Sequence, residues 1–144
     1  MIHLTNEQSK VRIPSAKVRR LSTQILGRKN LSIAFVTNAA IRRINRRFLN
    51  HDFATDVISF PLGTDLVGEL VISAEYAAAE AAKRKIPVEE ELLRYVAHGI
   101  LHLLGYDDHR PSDRRRMWAR QERELRKALG GSAAEARRPR GKSP

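Results

Sequence analysis

Residues 56–73, DVISFPLGTDLVGELVIS, contain two short runs rich in β-branched and aromatic residues. The runs DVISF (56–60) and GELVIS (68–73) are connected through a turn-rich segment, PLGTDLV, and are predicted to form two strands. Strands and helices are mixed before this pair, and only helical patterns follow it. The sequence therefore predicts an α+β fold with a small mixed twisted sheet of about four strands, packed with about five helices.

Apolar periodicity on either side of the strand pair predicts the other elements. Further strands are expected at 2–5 and 31–36. Helices are expected from Pro14 or Ser15 to near Gly27, from Thr37 or Asn38 to about residue 49, from Ser73 to near Arg84, from Pro87 to near Gly105, and from Pro111 or Ser112 to 129. The second helix should turn Ile41, Ile44 and Phe48 inward. The last should carry Trp118 into the core.

Charge and composition narrow the class of partner. The chain has 27 Lys and Arg against 16 acidic residues, a net charge of +11, which favours a polyanion such as nucleic acid. It has no cysteine, no signal-peptide pattern and no apolar stretch long enough for a bilayer, so we expect a cytoplasmic protein without a membrane partner. Residues 1–129 are expected to form one domain and 130–144 a basic disordered tail, because the tail has no large apolar residue.

Three of the five histidines fall in HGILHLLGYDDH (98–109). His98 and His102 are four residues apart on a predicted helix, so both imidazoles can face one ion. Gly105 lets the chain turn, and His109 can then return as a third ligand. Three nitrogens would leave a fourth position for water, as in catalytic zinc sites. The carboxylate of Asp107 or Asp108 could instead bind the ion or orient a ligand imidazole.

Gly99 occupies the position that holds the glutamate general base in the metalloprotease motif H-E-x-x-H. Glycine cannot transfer a proton, so peptide hydrolysis by that route is disfavoured. Gly99 serves either the close approach of a substrate or another chain, or tight packing of the helix.

The histidine stretch resembles the H-G-x-L-H-L-x-G-Y-D-H signature of the YbeY family, the bacterial endoribonucleases and rRNA maturation factors. INRRFLNHDFATDVISFPL (44–62), GELVIS and MWARQERELR (117–126) are similar to other family segments, in the same order. The resemblance extends from about residue 30 to 129. It implies a single α+β domain with a zincin-like site in which His98, His102 and His109 hold one zinc ion.

The resemblance also implies cleavage of single-stranded RNA, maturation of the small-subunit rRNA 3′ end, a role in ribosome quality control and association with the small ribosomal subunit. The sequence specifies no oligomeric state. Two positions depart from the family pattern. A second aspartate, Asp108, displaces His109 by one residue, and Leu49 stands where many members have an arginine considered important for activity.

A bound zinc ion, or another ion such as nickel that imidazoles bind well, could activate water or the RNA 2′-hydroxyl. His98 is therefore a catalytic candidate, and Arg46 and Arg47 could supply the charge missing at Leu49. The candidates for phosphate binding are Arg42, Arg43, Arg110, Arg114 and Arg115, together with Arg116. The candidates for base stacking are Phe53, Tyr95 and Tyr106. The alternative function is that of a ribosome-associated RNA-binding factor with a structural zinc.

Overall fold

The computed structural model describes residues 1–130, which form one four-stranded mixed sheet and five helices. The strands are β1 (Ile2–Asn6), β2 (Asn30–Val36), β3 (Val57–Pro61) and β4 (Leu66–Ser73). The helices are α1 (Ser15–Leu26), α2 (Asn38–Leu49), α3 (Ala74–Arg84), α4 (Val88–Leu103) and α5 (Pro111–Leu129). The predicted α+β class and element order are confirmed. The expected tail lies outside the described residues, apart from Gly130.

The strands are arranged in the order β1-β2-β4-β3. β1, β2 and β4 run parallel, whereas β3 pairs antiparallel with β4, which follows it in the chain to complete a hairpin. In this hairpin Val57 lies opposite Ile72, and Pro61 lies opposite Gly68. The two strands predicted from residues 56–73 therefore form the edge of the sheet nearest the histidine helix.

Each face of the sheet contributes to a different hydrophobic cluster, because successive side chains of a strand point to opposite faces. Leu70 and Ile72 of β4 belong to the larger cluster, which also contains residues of α1, α3, α4 and α5. Val71 belongs to a smaller cluster with Ile41 of α2 and Ile58 of β3. The sheet is thus covered mainly by α1 and α4 on one face and by α2 on the other.

The histidine helix α4 packs against β3, β4 and three other helices. Gly99 permits its close approach to the sheet: a Cβ atom there would lie 2.8 Å from Leu70 Cδ2 and 3.1 Å from Val57 Cγ2. Ser59 Oγ also donates a hydrogen bond to the Gly99 carbonyl, at 3.2 Å. Of the two explanations for this glycine, the structure supports tight helix packing.

A buried charge network fixes α5 against α4. Arg94 is only 3% exposed, and its guanidinium donates to the carboxylates of Glu90, Glu91 and Glu122 at 2.7–3.1 Å. Glu91 also accepts from Arg84 at the end of α3. A buried charge is tolerated only when its partners satisfy it, so this network restricts how α3, α4 and α5 pack.

Three predictions about aromatic residues are wrong. Phe48 is 61% exposed and packs edge-to-face on Phe60, because the smaller cluster covers only the earlier turns of α2. Tyr95 is buried in the larger cluster, one turn before His98 on the inner side of α4, and cannot stack on a base. Trp118 is half-buried and belongs to neither cluster.

Candidate active site

The two histidines of α4 meet as their spacing predicts. His98 and His102 lie one turn apart, with ring centroids separated by 4.6 Å and rings nearly perpendicular. Their Nε2 atoms are 3.1 Å apart. Both side chains are partly exposed on the same side of an otherwise buried helix, so their free nitrogens face one point in space.

The chain turns back beside this pair immediately after α4. Gly105 has a φ of +99°, a conformation that residues with a Cβ rarely adopt. The turn brings Asp108 to the histidines, with Oδ2 lying 3.4 Å from His102 Nε2. One ligand atom from each of His98, His102 and Asp108 lies within 4.8 Å of the others.

His109 lies outside the group formed by His98, His102 and Asp108, and groups instead with Asp107 and Asp108. Its side chain is 86% exposed, and both its backbone amide and its ring Nδ1 bond to the Asp107 carboxylate. This carboxylate raises the pKa of His109, which favours the protonated ring over the neutral ring that binds metals. The additional aspartate has the consequence anticipated as an alternative: Asp108 lies beside the histidine pair, where His109 was expected.

Two carbonyl oxygens orient the imidazoles. His98 Nδ1 donates to Gln121 Oε1 at 2.8 Å, and His102 Nδ1 donates to the Tyr106 backbone carbonyl at 3.2 Å. The Gln121 amide is itself fixed, because its Nε2 donates to Glu122 Oε2 at 3.0 Å. Since a carbonyl oxygen only accepts, each Nδ1 carries the proton and each Nε2 of a neutral ring presents a lone pair.

This arrangement suits a divalent cation. Two nitrogen lone pairs at 3.1 Å repel each other unless a cation lies between them. Tetrahedral coordination at about 2.0–2.1 Å separates two nitrogen ligands by about 3.3 Å, close to the observed spacing. Burial, and then the neighbouring His102, lower the pKa of His98, which keeps its ring in the neutral form that binds metals. Two imidazoles and a carboxylate form a donor set typical of zinc and similar ions.

The three candidate ligands line a cavity of about 540 Å³, within the size range of ligand sites. Its other walls are the end of α2, the loop 50–56 and β3. The sequence analysis missed several of its lining residues, namely Asn45, His51, Asp56 and Ser59. The family-like stretch 44–62 contains all four and was the available signal. The carboxyl end of α2 turns into the loop at Asn50, which has a left-handed φ of 59°.

The predicted arginines lie outside this cavity wall. Arg42, Arg43, Arg46 and Arg47 are exposed on α2, and Arg42 pairs with Asp52 at 2.8 Å. Leu49 lines the cavity, but its arginine neighbours do not. After the loop that carries Asp108, Arg110 and Arg115 are exposed, and Arg114 donates to the His109 carbonyl at 3.1 Å. Their catalytic and RNA-binding roles stay predictions.

The family model described as Endoribonuclease YbeY matches residues 3–129. This chain belongs to the YbeY family. The match begins well before residue 30, so the resemblance recognised in the sequence was correct but too short. Membership supports RNA endonuclease activity for this YbeY-family chain.

Several proteins named Endoribonuclease YbeY are similar to the chain. The one from Anaeromyxobacter sp. (strain Fw109-5) is 42% identical over 139 residues, covering 90% of this chain and 72% of that protein. The one from Anaeromyxobacter dehalogenans (strain 2CP-C) is 47% identical over 123 residues, covering 78% and 63%. The one from Chlorobium phaeovibrioides (strain DSM 265 / 1930) is 40% identical over 121 residues, covering 79% and 82%.

The fold also matches a solved structure. The solution structure of TM1509 from Thermotoga maritima superposes with a TM-score of 0.67 at 27% identity, covering 90% of each chain. Among the helices of residues 1–130, none combines the length and apolar character needed to cross a bilayer.

Proposed function

We propose that this YbeY-family protein is a metal-dependent endoribonuclease that cuts single-stranded RNA. It holds one zinc ion through His98, His102 and Asp108, and it acts in the cytoplasm on the 3′ end of small-subunit rRNA and in ribosome quality control. Family membership supports the reaction class. The facing Nε2 atoms of His98 and His102, 3.1 Å apart and oriented by separate carbonyl groups, are the observation that carries the metal assignment.

His98, His102 and Asp108 all face an open cavity, which favours a catalytic metal site over a purely structural one. A structural zinc site is usually closed by four protein ligands, whereas a catalytic site leaves a position for water or substrate. Here the described residues bring three protein ligands together, and all three line the cavity. The alternative, an RNA-binding factor with a structural zinc, has in its favour only Leu49 at the position of the expected arginine.

The side chains around the histidine pair have two roles, binding the ion and orienting the imidazole rings. His98 and His102 would bind the ion through Nε2, while Gln121 and the Tyr106 carbonyl keep the Nδ1 protons in place. When bound, the ion would polarise a phosphoryl oxygen and lower the pKa of water near the scissile bond. The excess positive charge of the chain, including Arg46 and Arg47 on the exposed surface of α2, attracts the phosphate backbone.

Substitution of one ligand tests this function. We expect His98→Ala to abolish cleavage of a single-stranded RNA, while circular dichroism and thermal melting show that the domain still folds. His3→Ala is the matched control, because His3 is exposed on β1 outside the cavity. Cleavage by His98→Ala at the wild-type rate would refute the assignment. A wild type that binds RNA without cutting it, together with a large loss of thermal stability in His98→Ala, would instead support the structural-zinc alternative.

The proposed rRNA substrate needs a cellular test. Cells depleted of the protein should accumulate small-subunit rRNA with an unprocessed 3′ end, and wild-type protein should restore the mature end where His98→Ala does not. Normal 3′ ends in depleted cells would exclude this role without affecting the assignment as a ribonuclease.

A further inference from the structure

The cavity wall formed by the loop 50–56 carries a pair of stacked rings. The His51 and Phe53 rings are almost parallel, with an interplanar angle of 14° and centroids 5.3 Å apart, the geometry of an offset stack. Both residues line the cavity that contains His98, His102 and Asp108. Phe53 is nevertheless 54% exposed.

The loop that carries these rings is anchored at both sides of the pair. Asn45, buried in α2, donates from Nδ2 to the Phe53 carbonyl at 3.0 Å, and its own carbonyl accepts from the His51 amide at 3.2 Å. Because the backbone on each side of Asp52 is fixed to α2, the ring pair is held in place before any ligand arrives. A preorganised surface of this kind loses little conformational entropy on binding.

Exposed aromatic rings are rare in this protein. Among residues 1–130, Phe48 and Phe53 are the exposed members of the Phe, Tyr and Trp set. Phe48 is engaged elsewhere, since it packs on Phe60 and lies beneath the Arg47 guanidinium. Phe53 has His51 as its ring partner and borders the open cavity. Its exposure is therefore explained neither by core packing nor by a cation on its face.

We propose that His51 and Phe53 form a stacking subsite for one unpaired nucleobase of the RNA strand whose phosphate lies at the metal ligands. This inference rests on the proposed function and assigns the substrate contact on the second wall of the same cavity. A flat π-face accepts any base, so the subsite gives affinity for single-stranded RNA with little sequence preference. It would exclude duplex RNA, whose bases are stacked on each other and paired.

An apolar side chain extends the wall that carries the ring pair. Leu49, at the end of α2, lines the same cavity and is 45% exposed. Leu49, His51 and Phe53 together form a wall suited to a base rather than to a phosphate. The exposed arginines of α2 lie on the adjoining surface and provide attraction for the backbone.

The test measures binding separately from cleavage. The probe is a fluorescent single-stranded 2′-O-methyl oligoribonucleotide, which lacks the 2′-hydroxyl nucleophile and whose full length is checked on a gel after each titration. It is used with all its bases and with one base removed at each position in turn. Stacking of one base on an aromatic side chain corresponds to a loss of roughly 5- to 150-fold in affinity when the ring is removed. We expect Phe53→Ala and Phe53→Leu to weaken binding by about tenfold, whereas Phe53→Trp binds at least as well as wild type.

A base-removal scan makes the inference specific. On the wild type, one abasic position should weaken binding about as much as Phe53→Ala does, and on Phe53→Ala that position should no longer matter. Phe48→Ala is the matched control, since it removes an exposed ring outside the cavity. Zinc affinity should be equal in wild type and Phe53→Ala.

The outcomes separate this inference from the proposed function. Unchanged binding by Phe53→Ala, or full binding by Phe53→Leu, overturns the stacking subsite, and the exposed ring then serves a different contact. If the wild type still cuts RNA in that case, the proposed function survives. A wild type that binds no oligonucleotide and cuts no RNA refutes both.

Discussion

At the scale of single residues, the site depends on the direction in which two imidazole rings point. Gln121 lies on α5, yet its amide oxygen determines which nitrogen of His98 faces the cavity. Glu122 prevents the amide from flipping by accepting from Gln121 Nε2. Residues that orient a metal ligand in this way commonly raise metal affinity by about 10- to 100-fold.

We predict that Gln121→Leu weakens zinc affinity by about 10- to 100-fold, because the His98 ring loses the acceptor that holds its Nδ1 proton. Competition with a chromogenic chelator measures the affinity, and ¹⁵N NMR of the imidazoles reports the tautomer. Gln24→Leu is the control, since Gln24 also bonds to α5, at Glu124, but lies outside the cavity. Equal zinc affinity in Gln121→Leu and wild type would show that the amide does not orient the ligand.

Residue-level prediction from the sequence succeeds where the contacts are local. The meeting of His98 and His102 follows from four-residue spacing on a helix. The position of Asp108 depends on the path of a loop after Gly105, and spacing alone left Asp107, Asp108 and His109 as alternatives. Gln121 is 23 residues from His98, so its contact depends on how α5 packs on α4.

At the scale of secondary-structure elements, two glycines allow the histidine helix to lie close to the hairpin. A Cβ at Gly68 would lie 2.6 Å from the Phe60 backbone oxygen and 2.6 Å from Leu103 Cδ2. At Gly99 the nearest atoms are side-chain methyl groups of Leu70 and Val57, which can move. The cost of an added methyl group should therefore differ between the two positions.

We predict that Gly68→Ala lowers the free energy of unfolding by about 2–3 kcal/mol, because a backbone oxygen cannot move without distorting the hairpin. Gly99→Ala should cost about 1 kcal/mol, since the better helix propensity of alanine offsets part of the crowding. Urea denaturation of both variants against wild type measures the two values. A larger loss in Gly99→Ala than in Gly68→Ala would contradict this description of the packing.

The junction between α2 and α3 should respond to pH. Glu75 accepts from the Asn38 amide at 2.6 Å and pairs with Lys10 at 3.0 Å. The amide, and then the lysine, lower the pKa of Glu75. A lowered pKa means that the carboxylate stabilises the folded state above the unfolded-state pKa of about 4.3, and that this contribution is lost as the pH falls through the folded-state value.

We predict that wild type exceeds Glu75→Gln in unfolding free energy by on the order of 1 kcal/mol at neutral pH, because glutamine retains an acceptor but not the charge. The difference should stay constant at neutral pH and shrink below about pH 4.3. Urea denaturation of both proteins across this range measures it. A difference that grows in acid would mean that the charge does not stabilise the fold.

Most elements could be predicted because each carries its own periodicity and its own boundary residues. Thr37 and Ser73 cap α2 and α3 through their side-chain oxygens, as their sequence positions suggest. Phe48 could not be placed by periodicity, since its exposure depends on where the covering layer ends. The start of β4 at Leu66, earlier than residue 68, reflects pairing with Asn30 of β2 rather than a local propensity.

At the scale of the whole molecule, one buried cation connects three helices. Arg94 bonds to carboxylates of α4 and α5, and one of these, Glu91, also bonds to Arg84 of α3.

We predict that Arg94→Met lowers the free energy of unfolding by about 3–5 kcal/mol, because the carboxylates stay buried without their main counter-charge. Arg43→Met, on the exposed side of α2, should change it by less than about 0.5 kcal/mol. Equal denaturation midpoints for the two variants would contradict a structural role for the network.

The sequence predicted the class of partner and the type of sheet, but not the cavity. The net charge of +11 pointed to a polyanion, and the strand pair pointed to a mixed sheet. The cavity is lined by the end of α2, the loop 50–56, β3, α4 and Asp108, and its lining residues are up to 63 positions apart, from Asn45 to Asp108. No periodic pattern encodes such a juxtaposition, so Asp56 and His51 became visible as site residues only in the folded chain. Phe53 was a candidate for base stacking from the sequence, but its ring partner was not.

We expect one divalent ion, held beside the cavity by the histidine pair and Asp108, to be needed for RNA cleavage. The most direct measurement is the rate of single-stranded RNA cleavage while zinc is titrated into chelator-stripped protein. We expect no cleavage by the stripped protein and a linear rise that stops at one ion per chain. Cleavage at the full rate after stripping, or no response to added metal by a folded and RNA-binding protein, would contradict a metal-dependent reaction at this site.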